Sequence, residues 1–233
     1  QASFMGGVEE DAIAAVCFML ANAMLLNISI TDLKFLSLQI FFSTWFVYQI
    51  SRWIYYKKGE YTNKEELVVQ WFEKYPVFNK ITIYGSGFLA IVFTFFLHLK
   101  TIVVLVFVGG ISVLYPIPIL KAFGIQTRLR DFPFVKIFLI TLVWSVTSVV
   151  LPALESQLSF HERRDVFVLL ITQFIFILFI TLPFDINDAE VDKQSNIKTI
   201  PSVLGIKSSK IITLISGIIY AFAILFIFML ENW

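Results

Sequence analysis

Long stretches without a charged residue alternate with polar connections along this chain. Seven such windows lack Asp, Glu, Lys, Arg and His, and each is 17 to 20 residues long. They cover residues 12–31, 35–51, 81–97, 101–120, 137–154, 166–183 and 211–230. At a rise of about 1.5 Å per residue, a helix of this length crosses a hydrocarbon core of about 30 Å. A soluble helix needs one polar face and these windows are apolar all round, so the pattern predicts membrane-spanning helices.

The composition favours the same fold class. Of the 233 residues, 58% are hydrophobic and only 15% are charged, a balance far from that of a soluble domain. Backbone polar groups in lipid must be hydrogen-bonded internally, so we expect an all-α, multi-pass membrane protein. Residues 1–233 then form a single transmembrane helical domain. The net charge of +1 and the lack of a basic stripe argue against a nucleic-acid partner.

The basic residues are distributed unevenly among the connections. The connections after the second, fourth and sixth windows hold six, four and four Lys and Arg residues, which is 14 of the 18 in the chain. The positive-inside rule therefore places these connections on the cytoplasmic side of a plasma (inner) membrane. The first of them contains TNKEELVVQWFEKYPVF, which predicts a short helix over the mouth of the bundle. A plain interfacial amphipathic helix is the alternative.

Acidic residues are concentrated directly after the sixth window, in FDINDAEVDKQSN at 184–196. If the helix continues, at about 100° per residue, Asp185, Asp188 and Asp192 lie at about 0°, 300° and 340° and share one face. Glu190, at about 140°, points away from that face. Neighbouring carboxylates repel one another unless a cation lies between them, and Mg²⁺ prefers a few carboxylates together with substrate phosphates. The pattern indicates a metal–diphosphate site, and the alternative is a solvated helix end.

The segment DINDAEVDKQSNIKTIPSVLG resembles the second aspartate-rich motif of the UbiA superfamily of intramembrane prenyltransferases. That motif runs D-x-x-D-x-x-x-D, then G-x-K/R-T-L-P, and closes on a hydrophobic pair and Gly. The matching residues here are Asp185, Asp188, Asp192, Lys198, Thr199, Pro201, Leu204 and Gly205, while Asn196 replaces the usual Gly. A second segment, LYPIPILK at 114–121, begins with Leu114 and Tyr115 and is similar to the Y-P-x-x-K element that ends the family's fourth helix.

The resemblance implies helices around a cavity open to lipid, with Mg²⁺ and an isoprenoid diphosphate bound on the cytoplasmic side. It implies transfer of the prenyl group to a small lipophilic acceptor, with Asp185, Asp188 and Asp192 as the catalytic and metal-binding residues. Candidate diphosphate-binding residues are Arg52, Tyr115, Lys121, Arg128, Arg130 and Lys198. The basic ones among them have an alternative role as positive-inside anchors at the membrane surface.

The sequence departs from the family pattern in two places. The first aspartate motif is expected at the end of the second window, but FVYQISRWIYYKKGE stands at 46–60, and its first acid is Glu60. Arg52 either supplies a fixed positive charge where a second ion would bind or extends to the lipid headgroups. The family usually has nine helices and seven are visible here, so either the C-terminal pair is absent from this sequence or the chain is a shorter relative.

Two other functions compete with prenyl transfer. Loss of the first aspartate motif favours a non-catalytic relative that binds an isoprenoid or a phospholipid. A small-solute transporter would need charged or strongly polar residues at mid-membrane depth, and no window contains a charged one.

Overall fold

The computed structural model describes residues 8–58, 66–114, 134–158, 163–194 and 199–231. Within these ranges the regular elements are helical, which confirms the all-α class. They are α1 (Val8–Leu25), α2 (Lys34–Lys58), α3 (Glu66–Lys74), α4 (Pro76–Thr94), α5 (Leu99–Leu114), α6 (Val135–Ser145), α7 (Leu151–Glu155), α8 (Arg163–Gln194), α9 (Ile200–Leu204) and α10 (Ile206–Glu231). A 3₁₀ turn at Ile30–Leu33 precedes α2, and a π-helical turn at Val146–Val150 joins α6 to α7.

The helices form two compact units. The first helical unit comprises residues 1–109 and 151–158, and the second comprises residues 110–150 and 159–233. The acidic cluster predicted from the sequence belongs to the second unit. A single membrane domain over residues 1–233 stays a prediction.

Four helices in the described part of the chain are long and apolar enough to cross a membrane. They are Pro76–Thr94, Val135–Glu155, Arg164–Glu190 and Ile206–Phe226, and a shorter apolar helix covers Leu99–Val113. The first two predicted windows do form helices, but α1 carries three acidic residues in its first turn and α2 begins and ends with lysine. Four of the seven predicted spans are therefore supported by length and composition. The full count of seven and the cytoplasmic position of α3 stay predictions.

Helix α1 ends earlier than the first apolar window because the chain turns at Asn27. Asn27 adopts the left-handed conformation, with φ of 55°. The N–H of Ile28 donates to the carbonyl oxygen of Ala23 at 2.9 Å, the backward bond that closes many helix C-termini. Asparagine tolerates this conformation better than most residues, so it ends the helix inside an apolar stretch.

The first unit is organised by close packing of α2 against α4. The rings of Phe42 and Phe93 stack with their centroids 5.8 Å apart. A Cβ added to Gly87 would lie only 3.0 Å from Cδ2 of Phe46, so the glycine lets the two helices approach. Such small-residue contacts are common where membrane helices pack, since lipid offers no hydrophobic drive for association.

The last residue of the Val135–Glu155 span, Glu155, has a buried carboxylate. Glu155 ends α7, and its side chain is only 7% exposed. Its Oε2 accepts a hydrogen bond from the backbone N–H of His98 at 3.2 Å, and its Oε1 lies 3.2 Å from Nδ1 of the same residue. Nε2 of Gln157 lies 2.6 Å from Nε2 of His98. The α4–α5 connection thus supplies the partners that a buried carboxylate requires.

In the second unit, α8 packs against both α6 and α10. A Cβ added to Gly217 of α10 would lie 2.8 Å from Cε2 of Phe179, so this glycine sets the close approach to α8. Helix α8 contains Pro183 and nevertheless continues to Gln194. Residues 184–194 therefore continue the preceding helix, which is the condition for Asp185, Asp188 and Asp192 to share one face.

Replacing Glu155 by Gln tests the contact with His98. The variant keeps the shape but removes the charge and one acceptor oxygen, so we expect a loss of about 1–2 kcal/mol of stability. Thermal unfolding of the purified protein in detergent should show a midpoint several degrees lower. Glu73→Gln, at an exposed position of α3, is the control and should leave the midpoint unchanged. Equal midpoints for the two variants would contradict the assigned role of Glu155.

Candidate functional site

The acidic residues of α8 differ in burial as the helical geometry predicts. Asp185 is buried, Asp188 is half-buried and Glu190 is exposed. Glu190 is therefore the solvated member of the cluster, as predicted. Asp192 lies on the same continuous helix, although its side chain is outside the described part of the structure. At the helical spacing, the three aspartates share one face of α8.

Asp185 forms an ion pair with Lys136. Nζ of Lys136 donates to Oδ1 of Asp185 at 2.7 Å, a short, charge-assisted hydrogen bond. The side chain of Asp185 is 3% exposed and that of Lys136 is 24% exposed. Oδ2 of Asp185 is buried and has no hydrogen-bond partner among the described residues. The pair joins the first turn of α6 to the end of the apolar part of α8.

Sequence reasoning counted Lys136 only as one of the basic residues of a connection. Lys136 lies in the first turn of α6, and its contact with Asp185 places this turn beside the later part of α8. Its position at the start of α6 is therefore what makes Lys136 the partner of Asp185. The start of one helix and the end of the other then lie at the same end of the unit. A sequence pattern without the pairing of helices cannot show which basic residue meets which acid.

The second half of the sequence motif shapes the turn between α8 and α10. Thr199 is the N-cap residue of α9, and its backbone N–H donates to Oγ of Ser202 at 2.8 Å, which is one half of a capping box. Pro201 occupies the first turn of α9, where a missing N–H costs nothing. Gly205 ends the helix with φ of 83° and ψ of 156°, a conformation open essentially to glycine alone. The Thr, Pro and Gly of the motif therefore have a structural role.

Comparison with known proteins shows the family of the chain. The model of the UbiA prenyltransferase family matches residues 79–233, about two thirds of the chain, including the whole second unit. The chain belongs to the UbiA prenyltransferase family. Together with the four apolar helices, this membership indicates an integral membrane protein. No curated protein and no solved structure matches the chain.

The face of α8 that carries Asp185, Asp188 and Asp192 is here called the acid face. It offers the carboxylate oxygen atoms that Mg²⁺ prefers as ligands. Asp188 presents a half-buried carboxylate, and Asp185 keeps one buried oxygen without a partner among the described residues. Within that part of the chain, no group of three or more His, Cys, Asp or Glu side chains converges, and the Asp192 side chain lies outside it. The carboxylate oxygens of Asp185 and Asp188 are of the type that binds a divalent cation, and binding of Mg²⁺ by Asp188 and Asp192 stays a prediction.

Arg52 lies in the first unit and has an acid of its own unit as a neighbour. Burial lowers the pKa of the Arg52 guanidinium, and the nearby Asp11 and Tyr48 oppose this shift. Burial likewise raises the pKa of the Asp11 carboxyl, an effect that the charge of Arg52 opposes and that of Glu10 reinforces. The positive charge of Arg52 is therefore balanced in part by Asp11. Binding of diphosphate by Arg52 stays a prediction.

The other predicted diphosphate-binding residues lie outside the described ranges. They are Tyr115, Lys121, Arg128, Arg130 and Lys198. Leu114 is the last residue of α5, and Thr199, which follows Lys198, is buried at the start of α9. The structure thus brings together Asp185 and Asp188 on α8, adds Lys136 to them, and leaves the roles of these five residues as predictions.

Replacing Gly205 by Ala tests the turn that closes the motif. An L-residue at φ of 83° is strained, so we expect a loss of about 1–3 kcal/mol of stability and a lower midpoint of thermal unfolding. Gly109→Ala is the matched control, because Gly109 lies inside α5 and an added Cβ there has nothing within 4 Å. The control should be unchanged or slightly stabilised. If both variants unfold at the same temperature, the strained turn is not required.

Proposed function

We propose that this chain is a Mg²⁺-dependent intramembrane prenyltransferase, which moves a prenyl group from an isoprenoid diphosphate to a small lipophilic acceptor. The observation that carries the proposal is the acid face of α8, where buried Asp185 and half-buried Asp188 follow an uncharged apolar span on one unbroken helix. Membership of the UbiA prenyltransferase family supports it. The acid face lies on the cytoplasmic side of the inner membrane in this proposal, in accord with the distribution of basic residues.

Asp188 and Asp192 hold Mg²⁺ in the proposed site, and Asp185 supports them. When bound, the ion supplies positive charge that stabilises the diphosphate as a leaving group. Asp188 is suited to this role because half-burial leaves part of its side chain accessible, whereas Glu190 faces away from the shared surface. The spacing of three and four residues keeps the carboxylates on neighbouring turns of one rigid element.

Basic side chains complete the diphosphate site in the proposal. The C1–O bond of the prenyl diphosphate breaks, its electron pair leaves with the diphosphate, and the nucleophilic atom of the acceptor bonds to C1 and loses a proton. Hydrogen bonds from cationic groups stabilise the charge that develops on the departing oxygen. We assign this role to Lys121, Arg128, Arg130 and Lys198, with Tyr115 as a further donor, whereas diphosphate binding by Arg52 stays a prediction from the sequence. The apolar span above the acid face limits access of water to the reactive carbon.

A non-catalytic isoprenoid- or lipid-binding protein is the second candidate. It is favoured by α2, which contains no Asp or Glu between Lys34 and Lys58, so the first metal-binding motif is missing from this helix. Separate measurements of binding and turnover distinguish the two functions. Tight binding of an isoprenoid diphosphate without product, across a panel of lipophilic acceptors, supports the binding protein.

Single substitutions Asp188→Asn and Asp192→Asn test the proposed enzyme. Each removes one anionic ligand and keeps the side-chain shape, so Mg²⁺-dependent release of diphosphate from farnesyl or geranylgeranyl diphosphate should fall by about 100-fold. Glu190→Gln, on the exposed side of the same helix, is the control and should retain the wild-type rate. Unaltered release in both aspartate variants would reject the assignment.

A further inference from the structure

Asp185 is buried among apolar residues, where a carboxylate is stable only beside a positive charge or hydrogen-bond donors. Its side chain is 97% buried at the end of an apolar helix, and an unpaired carboxylate there would be strongly destabilised. Lys136 meets this demand through the 2.7 Å contact from Nζ to Oδ1. The cation beside this carboxylate is thus a side chain of the chain itself.

Lys136 lies at a turn where two local factors are unfavourable: the direction of the helix dipole and the backbone conformation of the preceding Phe134. Lys136 lies in the first turn of α6, where the helix dipole disfavours a positive charge. Phe134, which precedes the helix, adopts φ of 64°, a conformation that bulky residues rarely take. The ion pair between Lys136 and Asp185 therefore forms at a turn that neither residue type favours by itself.

The remaining oxygen of Asp185 is a poor ligand for a hydrated metal ion. Oδ2 is buried away from the surface of the unit, and Oδ1 is already bonded to an ammonium group. Mg²⁺ keeps several of its water ligands and needs room for them. An ion at Asp185 would also lie close to the positive charge of Lys136 and be repelled by it. Asp188 lies one turn further along α8 and is only half-buried, so its carboxylate is more accessible to a hydrated ion than that of Asp185.

We infer that Lys136 is the resident counter-ion of Asp185, and that Asp185 is a positioning residue for this ammonium group and not a metal ligand. This inference rests on the proposed function, and it leaves Mg²⁺ to Asp188 and Asp192. Lys136 then contributes a fixed positive charge about one helical turn from Asp188, beside the site for the diphosphate. Lys136 thus adds a positive charge to the acid face of α8, in a chain whose α2 contains no aspartate motif.

A double-mutant cycle in EDTA tests the ion pair without any metal. Lys136→Met should lower the midpoint of thermal unfolding by several degrees, because it leaves the buried carboxylate of Asp185 without this counter-charge. Asp185→Asn should also lower the midpoint, because Lys136 loses its short charge-assisted hydrogen bond. The double variant should lose clearly less than the sum of the two, and Lys136→Arg should retain most of the wild-type midpoint. Lys207→Met, at an exposed position of α10, should have no effect. Additive losses in the cycle would overturn the inference.

Mn²⁺ binding, measured by electron paramagnetic resonance, tests the assignment of ligands. We expect Asp185→Asn to bind Mn²⁺ within about twofold of the wild-type affinity, and Asp188→Asn to lose at least tenfold. Lys136→Met should bind at least as tightly as wild type, because a positive charge that repels the cation is removed, whereas a purely structural role of Lys136 predicts weaker binding. Loss of Mn²⁺ in Asp185→Asn equal to that in Asp188→Asn would overturn the inference.

The two experiments separate failure of this inference from failure of the proposed function. If the wild-type protein binds no Mn²⁺, the metal-dependent function is rejected. The cycle in EDTA then decides by itself whether Lys136 is the counter-ion of Asp185: coupled losses support the pairing, and additive losses overturn it.

Discussion

A carboxylate buried among apolar helices must meet a positive charge or a set of hydrogen-bond donors, and each of the two helical units contains such a carboxylate. In the second unit, Lys136 provides the charge for Asp185 at 2.7 Å. In the first unit, the backbone N–H and the ring of His98 serve Glu155. Lys136 and Glu155 lie in the first and last turns of the apolar span Val135–Glu155, and no charged residue lies between them.

The helical class and the acid face follow from sequence patterns because both depend on local periodicity. Backbone polar groups in lipid must be hydrogen-bonded internally, so an uncharged window of 17 to 20 residues favours a helix. The spacing of Asp185, Asp188 and Asp192 fixes their shared face as soon as the helix continues, and α8 does continue to Gln194. The exposure of Glu190 follows from the same geometry. These features required no knowledge of the tertiary structure.

Features that depend on pairing between helices were not predictable in the same way. Nothing in the sequence distinguishes Lys136 from the other basic residues of its connection, because its partner is 49 residues away. Asp11, the acidic neighbour of Arg52, belongs to another helix, so this proximity does not follow from the sequence pattern. The early end of α1 depends on one asparagine in the left-handed conformation within an apolar window. The motif residues Thr199 and Gly205 matched a family pattern, but their capping and turn roles became clear only from the backbone.

Charge balance between Lys136 and the aspartates of α8 is the central feature of the proposed site. The most direct measurement is an experimental structure of the protein in lipid nanodiscs with Mg²⁺ and farnesyl thiolodiphosphate, an analogue that is slow to react. We predict a cation within about 2.1 Å of carboxylate oxygens of Asp188 and Asp192, carrying the diphosphate, with Lys136 still bonded to Asp185. A diphosphate bound away from α8, or aspartate side chains directed into bulk water with no cation beside them, would contradict the account.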